Sequence, residues 1–203
     1  MPAPGKKWRH VIVNTHSSWL HGDPRGFRSR RHRIHSSGDY KHPPPKREHE
    51  GLYRYQLGKS RPEIHLHLDL RPTVGRALLQ QLRACGHEVL AIAVTKVHAH
   101  LLIELPDNIV KVKAIVGDAK RCASRSVKAQ LPGAIWARGG TFKRINSPDH
   151  QRCAYEYILY DQGPEAWTWS FRDTSTEGQF GRTRPSPRRP HAAAQRSEGR
   201  SPE

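Results

Sequence analysis

His98-Ala99-His100 places two imidazoles two residues apart in a chain of 203 residues with 14 histidines. The surrounding Val97-His98-Ala99-His100-Leu101-Leu102 is apolar and reads as a strand, in which residues two apart share a face. Two imidazoles on one face can share a divalent ion and leave coordination positions open for a phosphate oxygen. His65-Leu66-His67-Leu68-Asp69 repeats the alternation and adds a carboxylate, so it is a rival pair. A second chemical element is Ser147 to Pro164, SPDHQRCAYEYILYDQGP, with tyrosines at 155, 157 and 160. A tyrosine attacks phosphorus once a cation stabilises its phenolate and neutralises the phosphate. From Tyr157, Asp161 lies four residues on along one helix face, and Gln162 is about 140° round. Tyr155 and Tyr160 point about 160° and 60° away from Tyr157, which makes Tyr160 the nearer competitor.

The elements that must position these residues follow from periodicity and punctuation. Arg9 to Thr15 alternates as a strand. Arg71 to Gly86 reads as a helix started by Pro72 and Thr73, lined by Val74, Leu78 and Leu82, and stopped by Gly86. Val89 to Thr95 and Val97 to Leu105 are two strands separated by Lys96. Asp107 is the expected cap of a long helix to about Gln130. Its Ile109, Val112, Val116, Ala119, Ala123 and Val127 form one stripe, with Lys111, Arg121, Arg125 and Lys128 opposite. Gly140 to Asn146 is a short strand. Ser147 as N-cap, Pro148 at the first helical position and Asp149 in the first turn open the tyrosine helix, which Gly163-Pro164 ends. The order strand, insertion, helix, strand, strand, helix, strand, helix predicts an α+β fold: a ferredoxin-like βαββαβ sheet with an added C-terminal tyrosine-bearing helix.

Two segments interrupt this order. Residues 21–62 hold 11 Lys+Arg, 4 Asp+Glu and the run Pro43-Pro44-Pro45, and read as an irregular basic loop insertion suited to a phosphate backbone. Residues 172–203 hold 7 Arg, 4 acidic residues and no periodic apolar face, which predicts a disordered basic tail. Residues 1–171 are then one domain.

Lys+Arg number 35 against 18 Asp+Glu, a formal charge of +17 that exceeds what a metabolic enzyme for neutral substrates needs and implies a polyanion partner. With 35% hydrophobic residues the chain supports one folded domain plus polar segments and excludes two full domains. Cys85, Cys122 and Cys153 are odd in number and far apart, which argues against a disulfide framework and a cysteine zinc site and suits a reducing compartment. The N-terminus lacks an apolar run of secretory length, and the stretch from 89 to 105 is too short and polar to span a bilayer. A cytoplasmic location is expected.

A His-hydrophobe-His strand, a basic helix and a capped helix bearing Tyr157-Ile158-Leu159-Tyr160-Asp161-Gln162 together resemble the single-tyrosine HUH transposases, the single-strand DNA transposases of insertion sequences and their REP-associated relatives. Trp19-Leu20-His21-Gly22-Asp23-Pro24-Arg25-Gly26 is similar to a segment after the first strand in one branch of that family. The resemblance covers roughly residues 8 to 172. Val97 stands where relatives commonly carry Asn, Ala99 where they carry a bulkier residue, and Gln162 one position later than in some relatives. The resemblance implies that His98 and His100 hold Mg²⁺ or Mn²⁺ against the scissile phosphate, and that Tyr157 attacks to give a 5′-phosphotyrosine. Asp161 or Gln162 would complete the metal shell. The partner implied is single-stranded DNA with hairpin ends, handled by a monomer or a homodimer in which the tyrosine helix serves its own chain or is exchanged. Two alternatives stand beside this one. A domesticated or decayed copy would be a non-catalytic single-strand nucleic-acid binder, with Trp8, Trp19, Trp136, Trp167 and Trp169 as stacking platforms. A relaxase or replication initiator of the same chemistry fits the short chain less well.

The insertion generates a test. Neutralising Arg28, Arg30, Arg31 and Arg33 together should flatten the slope of log affinity for single-stranded DNA against log salt, by roughly 0.7 for each phosphate that the arm ceases to neutralise. A salt titration of the quadruple variant with an unchanged slope would show that the arm does not touch the backbone.

Overall fold

A computed structural model describes residues 2–27, 34–38, 42, 44–173 and 178–184. Its elements are β1 (Lys6–Asn14), α1 (Glu50–Lys59), α2 (Leu70–Ala84), β2 (Val89–Val94), β3 (His98–Pro106), α3 (Ile109–Ser126), β4 (Thr141–Arg144), α4 (Pro148–Tyr160), β5 (Trp167–Ser170) and β6 (Gln179–Phe180). The strands form one six-stranded sheet in the order β4-β1-β3-β2-β5-β6, and every neighbouring pair is antiparallel. The fold is a mixed α/β arrangement of this sheet with four helices.

Strand alternation divides the sheet into two faces. Val11 and Val13 of β1 and Ala99, Leu101, Ile103 and Leu105 of β3 face the main core. There they meet Val74, Leu78 and Leu82 of α2 and Val112, Val116, Ala119 and Ala123 of α3. The other face of β2 and β3 presents Ala91, Ala93 and Leu102, on which Ala154, Ile158 and Leu159 of α4 pack. Two helices thus cover one face and the tyrosine helix lies on the other.

Several boundaries differ from the sequence expectation. Asn108, not Asp107, caps α3: its side-chain oxygen accepts from the N–H groups of Val110 at 2.8 Å and Lys111 at 3.2 Å. The Asp107 carboxylate is already engaged by the guanidinium groups of Arg9 and Arg144, which leaves the adjacent amide to cap. Ile109, in the first turn, is exposed rather than on the core stripe. The helix ends at Ser126, because Val127 turns back into the core and its carbonyl accepts from Leu131 N–H at 2.8 Å.

The insertion is not irregular throughout. It contains α1, a helix with no buried residue and hence no apolar stripe to reveal it. Glu50 pairs with Arg54 at 2.7 Å along its surface. The segment before it docks closely: a Cβ on Gly22, which has φ +85°, would lie 2.6 Å from the Tyr53 amide nitrogen. Asp23 is buried and held by Arg25 at 2.6 and 2.8 Å. At the other end, Trp167 to Ser170 form the fully buried β5, and Gln179–Phe180 pair with it as β6, so the sheet continues past residue 171. The remainder of the expected tail, residues 185–203, lies outside the described residues.

The contact of α2 with β5 is tight enough to test. A Cβ on Gly75 would sit 1.9 Å from Cζ3 of Trp167, a ring buried in the main core. Helix propensity favours alanine over glycine by about 1 kcal/mol, but forcing atoms into a packed core costs about 1–3 kcal/mol or more, and the overlap here is severe. Gly75→Ala should therefore destabilise the protein by about 2 kcal/mol or more, read as a fall in Tm of about 2–4 °C per kcal/mol. A variant as stable as the parent would mean that Trp167 can move.

Candidate active site

The site lies on the face of β3 away from the main core. His98 and His100 alternate with the buried Ala99, so both project from that face, with ring centroids 4.7 Å apart and planes at 86°. The hairpin before them is braced by Thr95, whose hydroxyl accepts from the His98 N–H at 3.2 Å and donates to the His98 carbonyl at 3.0 Å. Across the ladder, β1 pairs Ile12 with His100 and Asn14 with His98, and its period-two neighbour His10 enters the same face. His10 Nε2 lies 2.9 Å from His100 Nδ1.

The small side chains of Ala91 and Ala93 let α4 settle on β2 and β3 through Ala154, Ile158 and Leu159. Tyr157 precedes Ile158 and so sits about 100° from it, at the rim of the contact. It is 43% exposed, yet its ring centroid is 5.5 Å from that of His100 and 5.9 Å from that of His10. Tyr155 is turned to the far side, where its hydroxyl meets Ser170 Oγ at 2.5 Å, and Tyr160 packs half-buried against the small core under α4.

Beyond the helix the expected angular relation fails. Because α4 ends at Tyr160, Asp161 and Gln162 no longer advance 100° per residue. The Gln162 side chain folds back: Nε2 donates to the Tyr157 carbonyl at 3.0 Å, and Oε1 lies 3.3 Å from His98 Nε2. Asp161 turns outward, both its oxygens accepting from Arg184 at 2.6 and 2.7 Å. The structure therefore brings together His98, His100, Tyr157 and Gln162, and places Asp161 apart from them.

Other expected residues lie elsewhere. His65 and His67 sit in an irregular lead-in to α2 rather than a strand, with Leu66 buried between them and His65 paired with Glu63 at 3.1 Å. Lys111, Arg121 and Arg125 are exposed on α3, with Lys128 just past its end, so they belong to the opposite side of the sheet from Tyr157. Arg28, Arg30, Arg31 and Arg33 lie outside the described residues. Stacking on three of the tryptophans is overturned, since Trp136, Trp167 and Trp169 are buried in the main core. Trp8 packs against the small core, and Trp19 is exposed beneath the Arg25 guanidinium, 4.5 Å from its ring centre. His10 went unnoticed in the sequence; the signal was its place on the polar phase of a strand otherwise apolar in alternation.

All three histidines are held neutral. Burial, then His98 and His10, pushes His100 down to about 2. Burial, then Lys143 and His150, pushes His10 down to about 4. Burial lowers His98, opposed by its hydrogen bond to Gln162. Neutral imidazoles keep a lone pair for a cation. Among the described residues no group of three or more His, Cys, Asp or Glu side chains is set to hold a metal ion. The donors that converge here are two imidazoles and an amide oxygen. Adjacent ligands of an octahedral ion at about 2.1 Å lie about 3 Å apart, so the 3.3 Å between His98 Nε2 and Gln162 Oε1 fits two ligands of one ion.

No family model matches the chain, and no curated protein matches it. Among solved structures the chain is similar to a REP-associated tyrosine transposase bound to a REP hairpin. The identity is 15%, the TM-score 0.41, and the match covers 78% of this chain and 67% of that one. At this identity no residue's role transfers from it. No helix among the described residues is long and apolar enough to cross a membrane.

The depressed basicity of His10 and His100 predicts acid sensitivity of the metal-free protein. Unfolded, each takes its proton near pH 6.5, whereas the folded site resists it. Stability is therefore full above pH 6.5 and falls as the pH drops toward about 4, the His10 window. In urea unfolding, His10→Gln should lose less stability between pH 7 and pH 5 than the parent. Equal losses would show that His10 does not contribute to the acid limit.

Proposed function

We propose that this chain is a metal-dependent DNA transposase that cleaves and rejoins single-stranded DNA through a 5′-phosphotyrosine on Tyr157. The observation that carries this reading is the convergence of Tyr157 on His100, with Gln162 bound at once to the Tyr157 carbonyl and to His98. His98, His100 and Gln162 would hold Mg²⁺ or Mn²⁺. Such an ion, when bound, polarises a phosphate oxygen and offsets the charge that builds up at phosphorus. Tyr157 Oη forms the new bond to phosphorus as the bond from phosphorus to the 3′-oxygen breaks. The phenolic proton passes to water at the half-exposed ring, and the departing oxygen takes one up to become a 3′-hydroxyl. Attack by another 3′-hydroxyl reverses the step and rejoins the strand, conserving the bond energy. The hydrogen bond from Gln162 to the Tyr157 carbonyl couples the end of α4 to the His pair, so nucleophile and donors hold one geometry.

The remaining features support the same reading. The strand order β4-β1-β3-β2, with α2 and α3 on one face, supports reading the inner sheet as a ferredoxin-like βαββαβ unit extended by β5 and β6. One domain whose sheet runs on through β6, with the basic segment 21–62 inserted and a basic sequence following, suits a chain of +17 charge acting on DNA in the cytoplasm. DNA with hairpin ends is the substrate class, and Lys111, Arg121, Arg125 and Lys128 form a second basic surface for it behind the sheet.

Incubation with labelled single-stranded hairpin DNA and Mn²⁺, followed by denaturing electrophoresis, tests the nucleophile. Tyr157→Phe should abolish the covalent adduct and lower cleavage at least about 10³-fold, with fold stability nearly unchanged. Tyr155→Phe and Tyr160→Phe should retain the adduct. His98→Ala and His100→Ala should lose cleavage and keep most DNA binding. Phosphotyrosine mapped by mass spectrometry to residue 160 would overturn the assignment of Tyr157, and the absence of any adduct would favour a binding protein without chemistry.

A further inference from the structure

His10 has no place in the reaction written above, yet it is a buried polar side chain on the central strand pair, in ring contact with both His100 and Tyr157. An imidazole can give a lone pair to a cation from only one nitrogen, and its other nitrogen must then carry the proton and needs an acceptor. The atom 2.9 Å from His100 Nδ1 is His10 Nε2. We propose that His10 is a positioning residue: its Nε2 accepts the Nδ1–H of His100, which fixes His100 as the tautomer with its Nε2 lone pair free for the cation. The proposal rests on the metal reading of His98, His100 and Gln162, and extends it by a residue that touches neither cation nor DNA.

The opposite arrangement, with His10 donating, would put the proton of His100 on Nε2 and remove that atom as a ligand. Only the accepting arrangement is compatible with both the observed contact and a two-histidine site. The neighbours agree with it. Burial, then the positive charge of Lys143 opposite it in the β1–β4 register and the neighbouring His150, disfavour a second proton on His10, which leaves it a nitrogen able to accept.

Two readouts test this without DNA. In the metal-free protein, ¹⁵N imidazole spectra should show His100 protonated at Nδ1 and bare at Nε2. In His10→Phe, which has no acceptor, both tautomers should be populated. Mn²⁺ affinity, measured by electron paramagnetic resonance, should fall about 10–100-fold in His10→Phe. It should be largely restored in His10→Gln, whose amide oxygen can accept. Circular dichroism on both variants separates loss of fold from loss of position. Equal affinity in parent and His10→Phe, equal weakening in His10→Phe and His10→Gln, or a parent His100 protonated at Nε2 would each overturn the proposal. A parent protein that shows the Nδ1–H tautomer but binds no Mn²⁺ would overturn the metal reading while sustaining the hydrogen-bond direction.

Discussion

The pleat of β3 is the constraint on which everything else depends. Ala99, Leu101 and Ile103 must face α2 and α3 to close the main core, and that obligation forces His98, His100 and Leu102 onto the other side. A slip of one residue in the pairing with β1 would bury two imidazoles among leucines and valines and push Ala99 into the site. The core therefore enforces the geometry of the site: the apolar residues that stabilise the fold also hold the histidines in place. Ala99 is small because it is packed between strands and helices on the crowded face.

On the other face the same strand pair supports α4. Ile158 and Leu159 need a shallow, apolar seat, and Ala91 and Ala93 beside Leu102 provide one. Once the helix is seated, its 3.6-residue period places Tyr157 at the rim, where its ring is half in water and half against imidazole. Tyr157, His98 and His100 are thus positioned by packing on rigid elements. The C-terminal basic segment reaches this geometry through Arg184, which holds the Asp161 carboxylate turned outward.

What was legible in the sequence is what local periodicity encodes. The His98/His100 strand, the stripe of α3 and the Ser147-Pro148 start of α4 all emerged because alternation, helical spacing and caps are short-range signals. Asn108 was missed as a cap because the choice between it and Asp107 depends on Arg9 and Arg144, which are distant in sequence. Gln162 and Asp161 could not be ranked by helical angles, because the helix ends before either. α1 gave no pattern since it buries nothing, and β5, although its Trp-Thr-Trp-Ser alternates, is only four residues long, too short for alternation to single it out. His10 required knowing which strand lies beside β3 and in what register, and that is a property of the folded sheet.

The neutrality of the three histidines has a thermodynamic consequence. Imidazoles and an amide that carry no charge themselves attract neither a lone cation nor a lone phosphate strongly, since each would arrive without a counter-charge on the groups that receive it. On the proposed reading the two ligands are linked. A phosphodiester in place raises the affinity for the ion, and the ion raises the affinity for the phosphodiester by the same factor. Such a protein would bind the ion measurably but weakly while free and tighten on it around the strand it is to cut. Occupancy of the centre would then report the presence of DNA, and the stray hydrolysis that a permanently loaded cation can promote would be avoided.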